Sequence, residues 1–190
     1  QFNDTIIANN IITTGGNYGY GIYINTSLRN NLSDNNVKTT GDYAYAYYFH
    51  NSSDIILNNV LNATNAYDIY IKGSKGETNF TNCTFNKSDV GFDQNKNTTA
   101  VLNVLWYADV SVNYTDNTPV SGATVNFYNI NNSLSASSTT GSNGKITRQT
   151  ILEYMQNATQ KYMKTNYSVF AAFSGDYNFN VSESVNISTN

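Results

Sequence analysis

The chain is short of charge. Asp, Glu, Lys and Arg make up 12% of its 190 residues, about half the usual share. Ten basic and thirteen acidic side chains leave a net charge of −3, which argues against nucleic-acid binding and its clustered Lys and Arg. The single histidine, His50, leaves no second base for a His-dependent triad. The single cysteine, Cys83, cannot form an internal disulfide, so cysteine usage does not fix the redox compartment. One proline, Pro119, argues against a proline-rich stalk. No apolar run approaches the roughly 18 residues of a membrane helix; the longest are strand-sized. No leader precedes Gln1, which starts in mid-pattern, so a mature form or a fragment is expected.

Polarity comes from amides and hydroxyls instead: 33 Asn, 40 Ser plus Thr and 16 Tyr. The sequon Asn-x-Ser/Thr occurs at Asn3, Asn25, Asn31, Asn51, Asn62, Asn79, Asn82, Asn86, Asn97, Asn113, Asn131, Asn157, Asn166, Asn180 and Asn186. Composition alone would give about 7, so these 15 are a twofold excess. An exported, N-glycosylated, extracellular chain is the expectation. Local habit in Asn- and Thr-rich strands is the competing source of such sequons.

The first half repeats. The template apolar-x-x-Asn-x-apolar fits Ile7-Asn10-Ile12, Leu32-Asn35-Val37 and Ile56-Asn59-Leu61. It fits Phe80 and Phe85 with Cys83 in the Asn place. A second strand follows each copy, in "GIYI", "AYYF" and "DIYI", with a weak fourth at "GFD". Ile22/Ile24, Tyr47/Phe49 and Ile69/Ile71 then share one face, and Tyr23, Tyr48 and Tyr70 the other. The run "YAYAYYF" becomes one rung of a stack, with Tyr45, Tyr47 and Phe49 expected to point inward.

Short strands at this period, with no helical pattern, predict a parallel β-helix of about four coils over residues 1–99. Leucine-rich repeats fail for want of leucine. Asn10, Asn35, Asn59 and Cys83 form the expected structural ladder at a bend, where stacked amides bond one another. None of these asparagines is a sequon, as buried amides should not be. The first coil begins with no polar cap, so upstream coils of the same precursor or a neighbouring subunit are expected to cover it.

"NNII…GYGIYINTS" and "IILNNVLNATNAYDIYIKGS" resemble right-handed parallel β-helix repeats of the copper-site-maturation/pectate-lyase-like type. That resemblance implies a surface protein of methanogenic or related archaea. It implies no activity, since lyases, hydrolases, adhesins and surface-layer proteins share such repeats.

Residues 100–190 change character. Six or seven strand-like runs separated by Gly, Asn and Pro turns suggest a β-sandwich. Residues 150–163 read as a strand running into a loop. Val112, Asp116, Pro119, Val120, Gly122, Ala123, Val125, Thr140 and Gly144 resemble the pattern of Ig-like or carboxypeptidase-regulatory-like modules. The cysteine pair of antibody domains is absent. Such modules imply spacers, stalks or interaction units.

Chemistry-bearing residues are sparse. Asp42, Asp54, Asp68, Asp89 and Asp93 are the candidate carboxylates for a glycosidase-like pair, with Asp42 and Asp68 on neighbouring coils. Most such aspartates are turn residues. Cys83 with His50 is a conceivable dyad, but His50 reads as a surface side chain and Cys83 as core. Asp34 beside Asn35 and Asn36 is a candidate weak Ca²⁺ site, and no zinc, EF-hand or phosphate-loop spacing occurs. The outward tyrosines Tyr23, Tyr48 and Tyr70 admit three readings: they stack sugar rings, pack on a neighbouring subunit, or stabilise the sheet face. The expected function is a non-enzymatic, self-assembling cell-surface glycoprotein of surface-layer, filament or adhesin type, without cofactor or membrane span. The alternative is a carbohydrate-binding or polysaccharide-processing β-helix.

Overall fold

The computed structural model describes residues 5–73, 76–93 and 99–173, and the backbone of 75 and 181–185. Every regular element among them is a β-strand. The chain divides into two compact units, one of residues 1–104 with 155–162, the other of 105–154 with 163–189.

The first unit is a parallel β-helix of about four turns built from three sheets. The first sheet holds β1 (Ile6–Ala8), β4 (Leu28–Ser33), β7 (Ser53–Leu57) and β10 (Lys75–Thr81). The second holds β2 (Ile11–Gly15), β5 (Asn36–Thr40) and β8 (Val60–Ala63). The third holds β3 (Ile22–Asn25), β6 (Tyr47–His50), β9 (Ile69–Lys72) and β11 (Val90–Phe92). All these pairings are parallel.

The repeat read from the sequence is the register observed. Ile7, Leu32, Ile56 and Phe80 are successive partners in the first sheet. Ile12, Val37 and Leu61 follow in the second. Ile22, Tyr47, Ile69 and Val90 stack in the third, so "GFD" is indeed the fourth copy. A single coil cannot cover its own apolar side, whereas stacking buries Leu32, Val37, Ile56, Phe49, Ile69, Ile71 and Phe80 completely.

The corners explain the asparagine content. Asn9, Asp34, Asn58 and Asn82 occupy one corner with φ of 53–57°, the left-handed region that Asn and Asp tolerate best. The next residues, Asn10, Asn35, Asn59 and Cys83, form the ladder. The backbone N–H of each asparagine donates to the side chain one coil on: Asn10 to Asn35 Oδ1 at 3.0 Å, Asn35 to Asn59 Oδ1 at 2.8 Å, Asn59 to Cys83 Sγ at 3.4 Å. One direct amide–amide bond occurs, from Asn10 Nδ2 to Asn35 Oδ1. Elsewhere the NH₂ groups donate to main-chain carbonyls, Asn35 to Ile7 and Asn59 to Leu32 and Leu57. The ladder thus ties coil to coil chiefly through backbone, not through stacked amides alone.

Tyr45 corrects the inward expectation. Ala44, Ala46, Tyr47 and Phe49 are buried, while Tyr45 packs among outward tyrosines. Ala46 and Tyr47 are consecutive and both buried, so the alternation slips where the chain turns into β6.

The second unit contains a four-stranded antiparallel sheet. Its order is β14 (Leu134–Thr139), β13 (Thr124–Tyr128), β17 (Tyr167–Ala172), β18 (Val181–Val185). Val125, Phe127, Ile146, Ile151 and Tyr167 form its core. β12 (Thr99–Ala108) and β15 (Gln149–Gln156) are neighbours, and in this unit Trp106 Nε1 donates to the buried Glu153 carboxylate at 2.6 Å. The chain then turns at Asn157, whose Oδ1 accepts from the backbone of Thr159 and Gln160, into β16 (Lys161–Met163). The motif residues have local tasks: Thr140 Oγ1 donates to Val120 O and accepts from Ala123 N, and Gly122 and Gly144 take positive φ. These described strands establish one antiparallel sheet and not the two-layer Ig-like sandwich.

Candidate functional site

The outer face of the third sheet and its adjoining corner carry eight tyrosines. Tyr23, Tyr48 and Tyr70 are successive register partners, as their spacing predicts. Their ring centroids lie 4.9 Å and 5.5 Å apart. The next partner is Gly91, where a Cβ would stand 2.5 Å from the Tyr67 ring and 2.8 Å from that of Tyr70. The missing side chain lets those two rings close over the last coil.

Corner residues supply further columns. Tyr20 stacks on Tyr45 at 5.6 Å and Tyr45 on Tyr70 at 4.5 Å, both nearly parallel. Tyr18 stacks on Tyr43 at 5.2 Å and 9°. Both Tyr18 and Tyr43 hold left-handed φ, 60° and 58°, an unusual state for bulky residues. Burial among rings, with neighbouring phenols adding to it, pushes the Tyr45 hydroxyl up to about 12. The same burial raises Tyr20, Tyr48 and Tyr70, the last two also through Asp93. The sequence named Tyr23, Tyr48 and Tyr70, placed Tyr45 inward, and missed Tyr18, Tyr20, Tyr43 and Tyr67, which precede the strands and lie outside their register.

His50 lies at the edge of this face, half-exposed, stacked beside Tyr48 with Nδ1 3.3 Å from Tyr23 Oη. Cys83 is elsewhere, in the buried ladder, where burial pushes its thiol up to about 12. A neutral core thiol is a poor nucleophile.

The carboxylates divide by corner. Asp54 is buried; its Oδ1 accepts from Asn30 N and Nδ2 at 3.0 and 2.6 Å, and burial raises its pKa. Asp68 is buried too, and binds the backbone N–H of Ala63 and of Asn86 at 2.5 and 2.7 Å. Its burial likewise raises it. Both are staples between backbone segments. Asn30, Asp54 and Thr78, in β4, β7 and β10 of the first sheet, form a second buried series at a step of 24, which sequence reasoning missed. Asp34 is exposed and accepts from Asn58 Nδ2, whereas Asn35 turns into the core, so these two do not share a cation site. Among the described residues no three His, Cys, Asp or Glu side chains converge as metal ligands.

Asp42 and Asp89 do share a place. With Tyr43, Tyr45 and Tyr67 they line an open cavity of about 580 Å³ beside the tyrosine columns. Asn86 Nδ2 holds Asp89 Oδ2 at 2.7 Å.

Among the described residues no sequon asparagine is fully buried. Asn25, Asn51, Asn62, Asn82, Asn86, Asn113, Asn131 and Asn166 are exposed, and Asn31, Asn79 and Asn157 are half-buried. Asn3, Asn97, Asn180 and Asn186 lie outside the described residues. The buried asparagines Asn30, Asn35, Asn59 and Asn103 are all outside sequons.

No family model, no curated protein and no solved structure matches this chain. Among the described residues no helix is long and apolar enough to cross a membrane.

Proposed function

We propose that the chain is part of an extracellular, N-glycosylated structural protein of the cell surface, of surface-layer, filament or adhesin type. Its β-helix serves as a rigid body and its second unit as an Ig-like spacer. The asparagines carry this reading: among the described residues no acceptor sequon is fully buried and eight are exposed, while the buried amides Asn30, Asn35, Asn59 and Asn103 escape the motif. A non-catalytic role is part of the proposal, supported by the way Asp54 and Asp68 are taken up by backbone N–H groups. Self-association is also part of it, and sedimentation over a range of concentrations tests that element.

Glycopeptide mass spectrometry on native material is the main test. Sugar is expected on exposed acceptors such as Asn25, Asn62 and Asn113, and never on Asn30, Asn35, Asn59 or Asn103. Native peptides bare at every sequon would remove the basis of the glycoprotein reading.

A further inference from the structure

The corner entering the third sheet shortens along the β-helix. Thr14 pairs with Thr39 and Ile22 with Tyr47, so the first two coils use corners of equal length. Thr39 pairs with Ala63 and Tyr47 with Ile69, so the third coil's corner is two residues shorter. The Tyr18–Tyr43 column therefore has no third ring. Asn65 and Ala66 stand in its place, and the cavity of about 580 Å³ opens beside Tyr43. This volume lies within the usual range for a ligand site.

We infer that this notch is a receptor for an arginine side chain presented by a partner protein. The free face of Tyr43 offers a stacking surface for a planar group. Asp42 and Asp89 stand in the same lining, which among the described residues has no basic one. A guanidinium is the planar cation that stacks on aromatic faces and forks onto carboxylates. The chain shows this chemistry elsewhere: the Arg148 guanidinium lies 4.9 Å over the Tyr107 ring while its Nε and Nη2 donate to the Asp109 carboxylate at 2.8–3.1 Å. A uronate or phosphate would face two carboxylates. A lysine would bring charge without a plane.

The test is an NMR titration of the 190-residue chain with N-acetyl-arginine amide. Saturable shifts at Tyr43, Tyr45 and Tyr67 are expected. N-acetyl-citrulline amide, the same shape without charge, should not bind. N-acetyl-lysine amide should bind about fivefold more weakly. Asp89→Asn should weaken arginine about fivefold. Ala66→Tyr, which puts a ring in the notch without removing its polar groups, should abolish binding. Tyr43→Ala, at a side chain already exposed, gives a second test should the filled variant fold poorly. Citrulline binding as well as arginine, tighter binding of methyl glucoside, or arginine shifts unchanged in both Ala66→Tyr and Tyr43→Ala would each overturn the inference.

Discussion

The backbone N–H of Asn35 donates to Oδ1 of Asn59, one coil further along, at 2.8 Å. The same oxygen accepts the Tyr47 hydroxyl at 3.1 Å, and Nδ2 of Asn59 serves the carbonyls of Leu32 and Leu57. One buried amide thus satisfies four groups of two coils. Asn59→Ala strands the Asn35 N–H and the Tyr47 hydroxyl and takes a donor from both carbonyls, and unpaired buried polar groups are costly. A loss of about 3 kcal/mol in denaturant unfolding is expected. Asn62→Ala, exposed in the same coil, should stay within about 0.5 kcal/mol. Equal effects at the two positions would contradict the ladder.

Two glycines separate backbone strain from crowding. Gly16 has φ of 89° with open space where a Cβ would go. Gly41 has φ of 126°, and its Cβ would stand 2.4 Å from the carbonyl oxygen of Gly16 in the coil above. Gly16→Ala should therefore cost only the strain, about 1 kcal/mol. Gly41→Ala adds a backbone clash and should cost about 3 kcal/mol or more. Thermal or urea unfolding of the pair checks the ranking, and a Gly41 variant no worse than the Gly16 one would refute the close stacking of these corners.

The sequence made the β-helix legible because its inner positions are chemically uniform. Ile7, Leu32, Ile56 and Phe80 repeat both type and spacing, so stacking could be read directly. The Asn10–Asn35–Asn59 ladder was legible for the same reason. The Asn30, Asp54 and Thr78 series was not, because three different side chains share one position of the first sheet. Tyr45 was misplaced because strict alternation does not survive a turn between sheets. Asp42 and Asp89 come together only because the intervening corner shortens, a fact visible in the register and not in local sequence. The motif around Pro119 located turns in the second unit, yet a motif describes local contacts and leaves the layering of sheets open.

Asp54 gives a pH test. Burial raises its folded-state pKa above the ordinary 3.8, against the lowering effect of its bonds from Asn30. For a raised carboxyl, the stability contribution is complete below the unfolded value and is lost as pH rises through the folded one. Once ionised, the buried Asp54 is therefore a burden. Asp54→Asn keeps an oxygen for Asn30 and removes the charge. It should raise stability at neutral pH by about 1 kcal/mol. The gap between variant and wild type should close as both are taken below the carboxylate range. A variant less stable than wild type at neutral pH would show that the charge itself holds β7 to β4.

The tyrosine face should govern alkaline stability. Tyr45 is pushed up to about 12, from an ordinary value of 10.0, first by burial among the rings and then by the neighbouring phenols. Tyr20, Tyr48 and Tyr70 move the same way. Below pH 10.0 both folded and unfolded chains keep these protons, and the full contribution is present. Between 10.0 and about 12 the unfolded chain releases protons that the folded one retains, so stability falls as pH rises. Tyr45→Phe keeps the ring contacts with Tyr20 and Tyr70 and removes the ionising group. At neutral pH it should match wild type within about 0.5 kcal/mol, and its decline above pH 10 should be shallower. Phenolate absorbance measured during the titration should rise in two stages, exposed rings first and the stacked group later. A single stage centred on the ordinary tyrosine value, in a chain that is still folded, would mean that these rings are not packed together in solution.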